Sequence, residues 1–227
     1  MREGLLLAYH NDPKIKELYL TRVRAHQAHD EIVKGTYWEE GKGCAVGCTI
    51  EGDEHSRYET ELGIPVQIAY LEDTLFEGMS NERAKEFPTQ FLSSIHVGAD
   101  LSLVIPKFYL EILLDKEHGV RNVALEDGKK AIDLVAKVHR NHIKTGVIDE
   151  KKRLAAESVA KSVAESAEWS ARSAEWSVRS VAVSVAVSAA RSAEWSVRSA
   201  VWSSAEESVI RYNWMADTLL RILSETT

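Results

Sequence analysis

The chain has 227 residues, 44% of them hydrophobic and 28% charged, with a net charge of −7. That length is enough to bury a proper core in one domain plus an extended element. Acidic residues outnumber basic ones 24 to 18 before Val147 and 11 to 10 from there on, so neither part has the basic footprint of a nucleic-acid or anionic-membrane binder.

The opening Met-Arg-Glu-Gly-Leu-Leu-Leu-Ala is interrupted too soon by His10 to serve as a leader. No apolar run approaches the about 18 residues of a membrane span. Two cysteines make no disulfide framework. The expected location is the cytoplasm.

Asp12-Pro13 supplies an N-cap and a proline at the first helical position. Ile15, Leu18, Ala25 and Ile32 then mark one face of a helix that Gly35 ends. A glycine-rich loop, Gly41-Lys-Gly-Cys-Ala-Val-Gly-Cys48, leads into a polar stretch reaching Glu61. Pro65 opens a second helix, with Ile64, Ile68, Leu71 and Leu75 on its apolar face and Gly78 after it. Ser80 caps a third, interrupted or restarted at Pro88. Asp100 or Ser102 begins an apolar segment that runs through Leu114 and stops near Gly119. Ala131 to Lys144 is a further amphipathic helix closed by Gly146. No strand is expected, so the fold class is all-α: a helical head over residues 1–147 and a long repeat helix over residues 148–227.

Asp149 caps that tail, which reaches Leu223 without a glycine or proline. Its centre repeats Ser-Ala-Glu-Trp-Ser at Ser166, Ser173 and Ser192, with a decayed copy, Ser-Ala-Val-Trp-Ser, at Ser199. Serines from Ser158 to Ser203 recur in steps of three or four, the helical period. Each intact copy sets Glu four residues before Arg, the favourable order for an i,i+4 pair. Val181, Val183, Val185 and Val187 alternate in a strand-like way and mark a soft centre. A lone helix cannot bury Trp169, Trp176, Trp195 and Trp202 against itself, so the tail needs a partner. Positions 169 and 202, like 176 and 195, sum to 371. An antiparallel homodimer crossing between Val185 and Ala186 therefore pairs the tryptophans of one copy with those of the other.

Chemistry is thinner. Gly43, Cys44, Gly47 and Cys48 offer two thiols at a spacing that could ligate a metal and glycine N–H groups for a ligand or anion, or else let a loop pass close to a neighbouring helix with both cysteines as buried small apolar groups. His55, Arg57, Tyr58 and Glu59 add acid–base groups, or a solvated loop. The pairs His26/His29 and His139/His142 share helix faces at the spacing that reaches one ion, but without the Glu-x-x-His pattern of di-metal bundles. No Walker loop, nucleophile elbow, dinucleotide fingerprint or His-Glu-x-x-His is present. No cofactor is expected.

The runs Gly41-Lys-Gly-Cys-Ala-Val-Gly-Cys-Thr49, Arg57-Tyr-Glu-Thr-Glu-Leu-Gly-Ile-Pro65, Leu71-Glu-Asp, Phe76-Glu-Gly78 and Val97-Gly-Ala-Asp-Leu101 resemble a family of uncharacterised proteins from bacteria and their phages. The tail ending in Met215-Ala-Asp-Thr-Leu-Leu220 is similar to tails in that family and, loosely, to proteins described as immunity proteins. The resemblance implies a role in phage–host conflict and carries over no functional residue. The expected function is a non-catalytic binding protein that self-associates through its tail; the alternatives are a protein sequestering a phosphate-bearing small molecule and a metal-dependent enzyme using Cys44 to Glu61.

Overall fold

The computed structural model describes residues 5–170 and 205–227, with side chains described outside 161–170 and 205–207. The chain divides into two compact units, one of Met1–Val104 with Ser208–Thr227 and one of Ile105–Glu207. The described elements are mostly helical, as the all-α class requires.

Unit 1 is organised around a short helix with no exposed face. Helices α1 (Pro13–Ala28), α2 (Ala45–Ile50), α3 (Arg57–Leu62), α4 (Val66–Gly78) and α5 (Asn81–Ser94) precede Val104, and α9 (Ala205–Ser224) contributes its part from Ser208 on. All six residues of α2 are buried, and α1, α4 and α5 pack around it. Asp12 accepts from Lys14 N–H at 2.9 Å and Ser80 from Arg83 N–H at 3.3 Å, as N-caps do. Helix α4 buries Ile68, Leu71 and Leu75, the expected stripe.

Several expectations need correction. Helix α1 ends at Ala28 and buries Tyr19, Leu20 and Val23, whereas Leu18 is 55% exposed. Ile32 lies beyond the helix in an isolated bridge to Gly43. A small hairpin exists after all, β1 (Trp38–Glu39) paired antiparallel with β2 (Lys42–Gly43). Its turn uses Glu40 and Gly41 at φ of 48° and 82°, the left-handed region that glycine adopts without strain. The second half of the glycine-rich stretch is helix α2, and the polar stretch includes helix α3. Pro88 sits inside α5 without interrupting it.

Unit 2 holds α6 from Ile105 (the helix spans Val104–Leu114), α7 (Glu126–Thr145) and α8 (Glu150–Ser170). Gly146, in the left-handed conformation, ends α7, and Asp149 caps α8 by accepting from Lys152 N–H at 3.1 Å. Helices α7 and α8 therefore form a helical hairpin. Its small core includes Leu113, Val120, Ile132, Val135, Val138 and Ala156.

His139 is the vulnerable group of unit 2. Burial is the first cause, and the His142 charge the second, of a pKa lowered from 6.5 to about 4. The folded state thus prefers the neutral ring, and the stability this represents is present above pH 6.5 and lost as pH falls towards 4. The full loss is roughly 3 kcal/mol. Denaturant unfolding of unit 2 at pH 7 and pH 4.5 is expected to show the drop in the parent protein and a smaller one in His139→Leu.

Trp176, Val185, Ala186, Trp195 and Trp202 lie outside the described residues, as does the side chain of Trp169. Among the described residues no helix is long and apolar enough to cross a membrane.

Candidate functional site

The glycine-rich stretch is built for contact with its own backbone. A Cβ on Gly47 would lie 1.6 Å from the Tyr37 carbonyl oxygen, and one on Gly43 would lie 2.1 Å from the same atom. Both glycines therefore let the 37–38 backbone rest on α2. Their N–H groups are engaged: Gly43 donates to the Glu31 carbonyl at 3.1 Å, and Gly47 to Cys44 Sγ at 3.4 Å. Gly47→Ala forces a backbone shift in the centre of unit 1, so it is expected to lower stability by about 3 kcal/mol, read from the denaturation midpoint. An unchanged midpoint would show that the 37–38 segment yields freely.

The two thiols face different surroundings. Cys44 is the N-cap of α2, beside Asp73 and close enough to Tyr58 for their charges to interact. Burial first, and then the Asp73 charge, push its thiol far above the ordinary range. Cys48 donates to the Gly43 carbonyl at 3.3 Å and has Glu31 and Glu51 as charged neighbours; burial pushes its thiol up to about 12. Neither is a poised thiolate.

His55, Tyr58, Glu72 and Asp73 form a polar centre with Cys44. The His55 ring stacks on Tyr70 at 4.2 Å and meets Tyr37 edge-on at 5.4 Å. Its Nε2 lies 3.7 Å from Asp73 Oδ2. Tyr58, fully buried, donates to Glu72 Oε2 at 2.8 Å. Glu72 is itself fully buried, and its pKa is raised well above the ordinary carboxylate range by burial first, with Asp73 adding to the rise. His55 Nε2, Glu72 Oε1 and Asp73 Oδ1 are buried without a hydrogen-bond partner, which is uncommon for such groups.

The other expected site residues stand apart. Arg57 pairs with Glu61 at 2.6 Å, and Glu61 also accepts from Tyr19 at 2.5 Å. Glu59 accepts from Val66 N–H at 3.0 Å, holding the start of α4. Of the eight residues read as candidates, the polar centre takes in Cys44, His55 and Tyr58.

Neither histidine pair acts as a unit. His26 lies between Glu31, at 2.6 Å, and Glu51, at 3.6 Å, while His29 turns back to the Ala25 carbonyl. His139 is half-buried beside Tyr109, with its Nε2 out of solvent. Among the described residues no group of three or more His, Cys, Asp or Glu has the geometry to hold a metal ion. A half-open groove of about 440 Å³ lies elsewhere in unit 1, bordered by Asp30, Val33, Lys34, Phe76, Asn81 and Lys85.

Comparison with protein-family models, curated proteins and solved structures finds no match. Sequence reasoning missed Glu72 and Asp73. The signal for Glu72 was present: it falls four residues after Ile68 and three before Leu75, on the apolar stripe of α4.

Proposed function

We propose that this protein is a non-catalytic helical interaction protein that self-associates through its C-terminal repeat, which continues α8 as one long helix, and that its role lies in phage–host conflict. The observation that carries self-association is the placement of the repeat. It is framed by α8, whose Ala156 and Ala160 are buried in unit 2, and by α9, whose Met215, Leu219 and Leu223 are buried in unit 1. Trp169, in the last turn of α8, and Trp176, Trp195 and Trp202, between the two helices in the chain, are spaced symmetrically about Val185–Ala186, a pattern that a two-fold axis uses on both copies at once. The phage–host role rests only on the sequence resemblance. The buried, protonated thiols support a non-catalytic reading over thiol chemistry. Sedimentation equilibrium tests the self-association: a dimer mass across micromolar concentrations is expected, and a strictly monomeric protein would refute it.

A second reading, binding of a small polar ligand, is favoured by the three unpartnered atoms of His55, Glu72 and Asp73. Native mass spectrometry of the purified protein is expected to show an added mass that His55→Phe removes. A spectrum with the bare chain alone counts against it.

A further inference from the structure

The polar centre of unit 1 holds acceptors without donors. His55 is 5% exposed and Glu72 is fully buried, while Asp73 keeps 13% of its side chain exposed and so stands nearest to solvent. His55 Nε2, Glu72 Oε1 and Asp73 Oδ1 have no hydrogen-bond partner. The 3.7 Å between His55 Nε2 and Asp73 Oδ2 is too long for a hydrogen bond. Carboxylate oxygens accept, and so does an imidazole Nε2 when the ring proton sits on Nδ1. The charges that act on Cys44, Tyr58 and Glu72 come from Asp73, Glu72 and Cys44, whereas Arg57 turns to Glu61.

We infer that this centre binds a small ammonium cation, either ammonium itself or the head of a primary amine. The inference rests on the second reading above, a polar-ligand site, and adds the sign of the ligand and its donors. A primary ammonium carries three N–H donors and no acceptor, one for each unpartnered atom. The Tyr37 and Tyr70 rings packed on His55 add aromatic surroundings, which attract cations. An anion instead meets the Asp73 carboxylate, and the N–H groups of Gly43 and Gly47 are already engaged. A metal ion requires ligands converging at about 2.0–2.6 Å, a geometry that no set of described residues has. An ammonium is held by hydrogen bonds of about 2.9 Å. Burial keeps the Glu72 carboxyl protonated while the centre is empty. The cation favours its ionised form, and the displaced proton passes to solvent.

The test melts the full-length protein in ammonium, methylammonium and sodium chlorides and in sodium phosphate, at matched ionic strength. Ammonium or methylammonium is expected to raise the melting temperature above that in sodium chloride, and Asp73→Asn is expected to abolish the gain. A gain in ammonium alone identifies the free ion, and one in methylammonium the head of a primary amine. A gain that survives Asp73→Asn places the cation elsewhere and overturns the inference. A gain only in phosphate, or no gain with an added mass that His55→Phe removes, overturns the cation and leaves the polar-ligand reading standing. No gain and a bare chain in native mass spectrometry overturn both.

Should Asp73→Asn fail to fold, the parent protein with [15N]ammonium gives an independent readout by NMR. Nuclear Overhauser contacts from the ammonium protons to the His55 and Tyr70 rings are expected. Their absence in a sample stabilised by ammonium would overturn the inference.

Discussion

Ala186→Pro is expected to convert the assembled protein into a monomer while both helical units stay folded. Proline inside a helix removes a backbone hydrogen bond and clashes with the preceding turn, at a cost of about 3 kcal/mol or more. Position 186 adjoins the symmetry point of the tryptophan array, where the small residues from Val181 to Ala190 bring two backbones closest in the proposed dimer. Sedimentation should show the mass halved, with the helical circular dichroism only slightly reduced. A variant of unchanged mass would place the interface outside the repeat.

Leu219→Asp is expected to unfold unit 1. Leu219 is fully buried in α9, and the substitution sets an unpaired carboxylate in that core while deleting its packing. The combined penalty is on the order of 5 kcal/mol, a large part of the stability of a domain this size. The expected readout is loss of protection of the α4 and α5 amides in hydrogen exchange. If α9 were a passive tail, those amides would keep their protection. The same protein therefore distinguishes a core element from an appendage.

The helices were legible wherever caps and apolar periods agreed. Asp12-Pro13, Ser80, Gly146 and Asp149 each stand at a helix boundary, because capping chemistry is local and needs no tertiary information. The extent of α1 was misread: Leu18 and Ile32 fit a helical stripe by spacing, but the buried face is that of Tyr19, Leu20 and Val23. The glycine-rich stretch was misread for a tertiary reason. Its glycines suit a loop in isolation, yet Gly47 lies within α2 because the Tyr37 carbonyl needs the space.

The candidate site was half legible. Cys44, His55 and Tyr58 were picked out for residue type, but Arg57 and Glu59 serve an ion pair and a helix start. What draws the polar centre together is Glu72 and Asp73, from a helix read as purely apolar on its inner face. The return of α9 to unit 1 left no local signal, since its apolar pattern does not say which core it joins.

The most direct measurement of self-association through the repeat is cross-linking at chosen positions of the full-length protein. Val185→Cys alone is expected to form covalent dimers under mild oxidation, with the parent protein, whose two thiols are buried, as the control. Ala174→Cys and Val197→Cys, whose positions also sum to 371, are expected to cross-link to each other when co-expressed and poorly to themselves. A dimer that links each position to its own copy would be parallel. A dimer that links at none of the three positions would have its interface elsewhere, and the proposed function would fail with it.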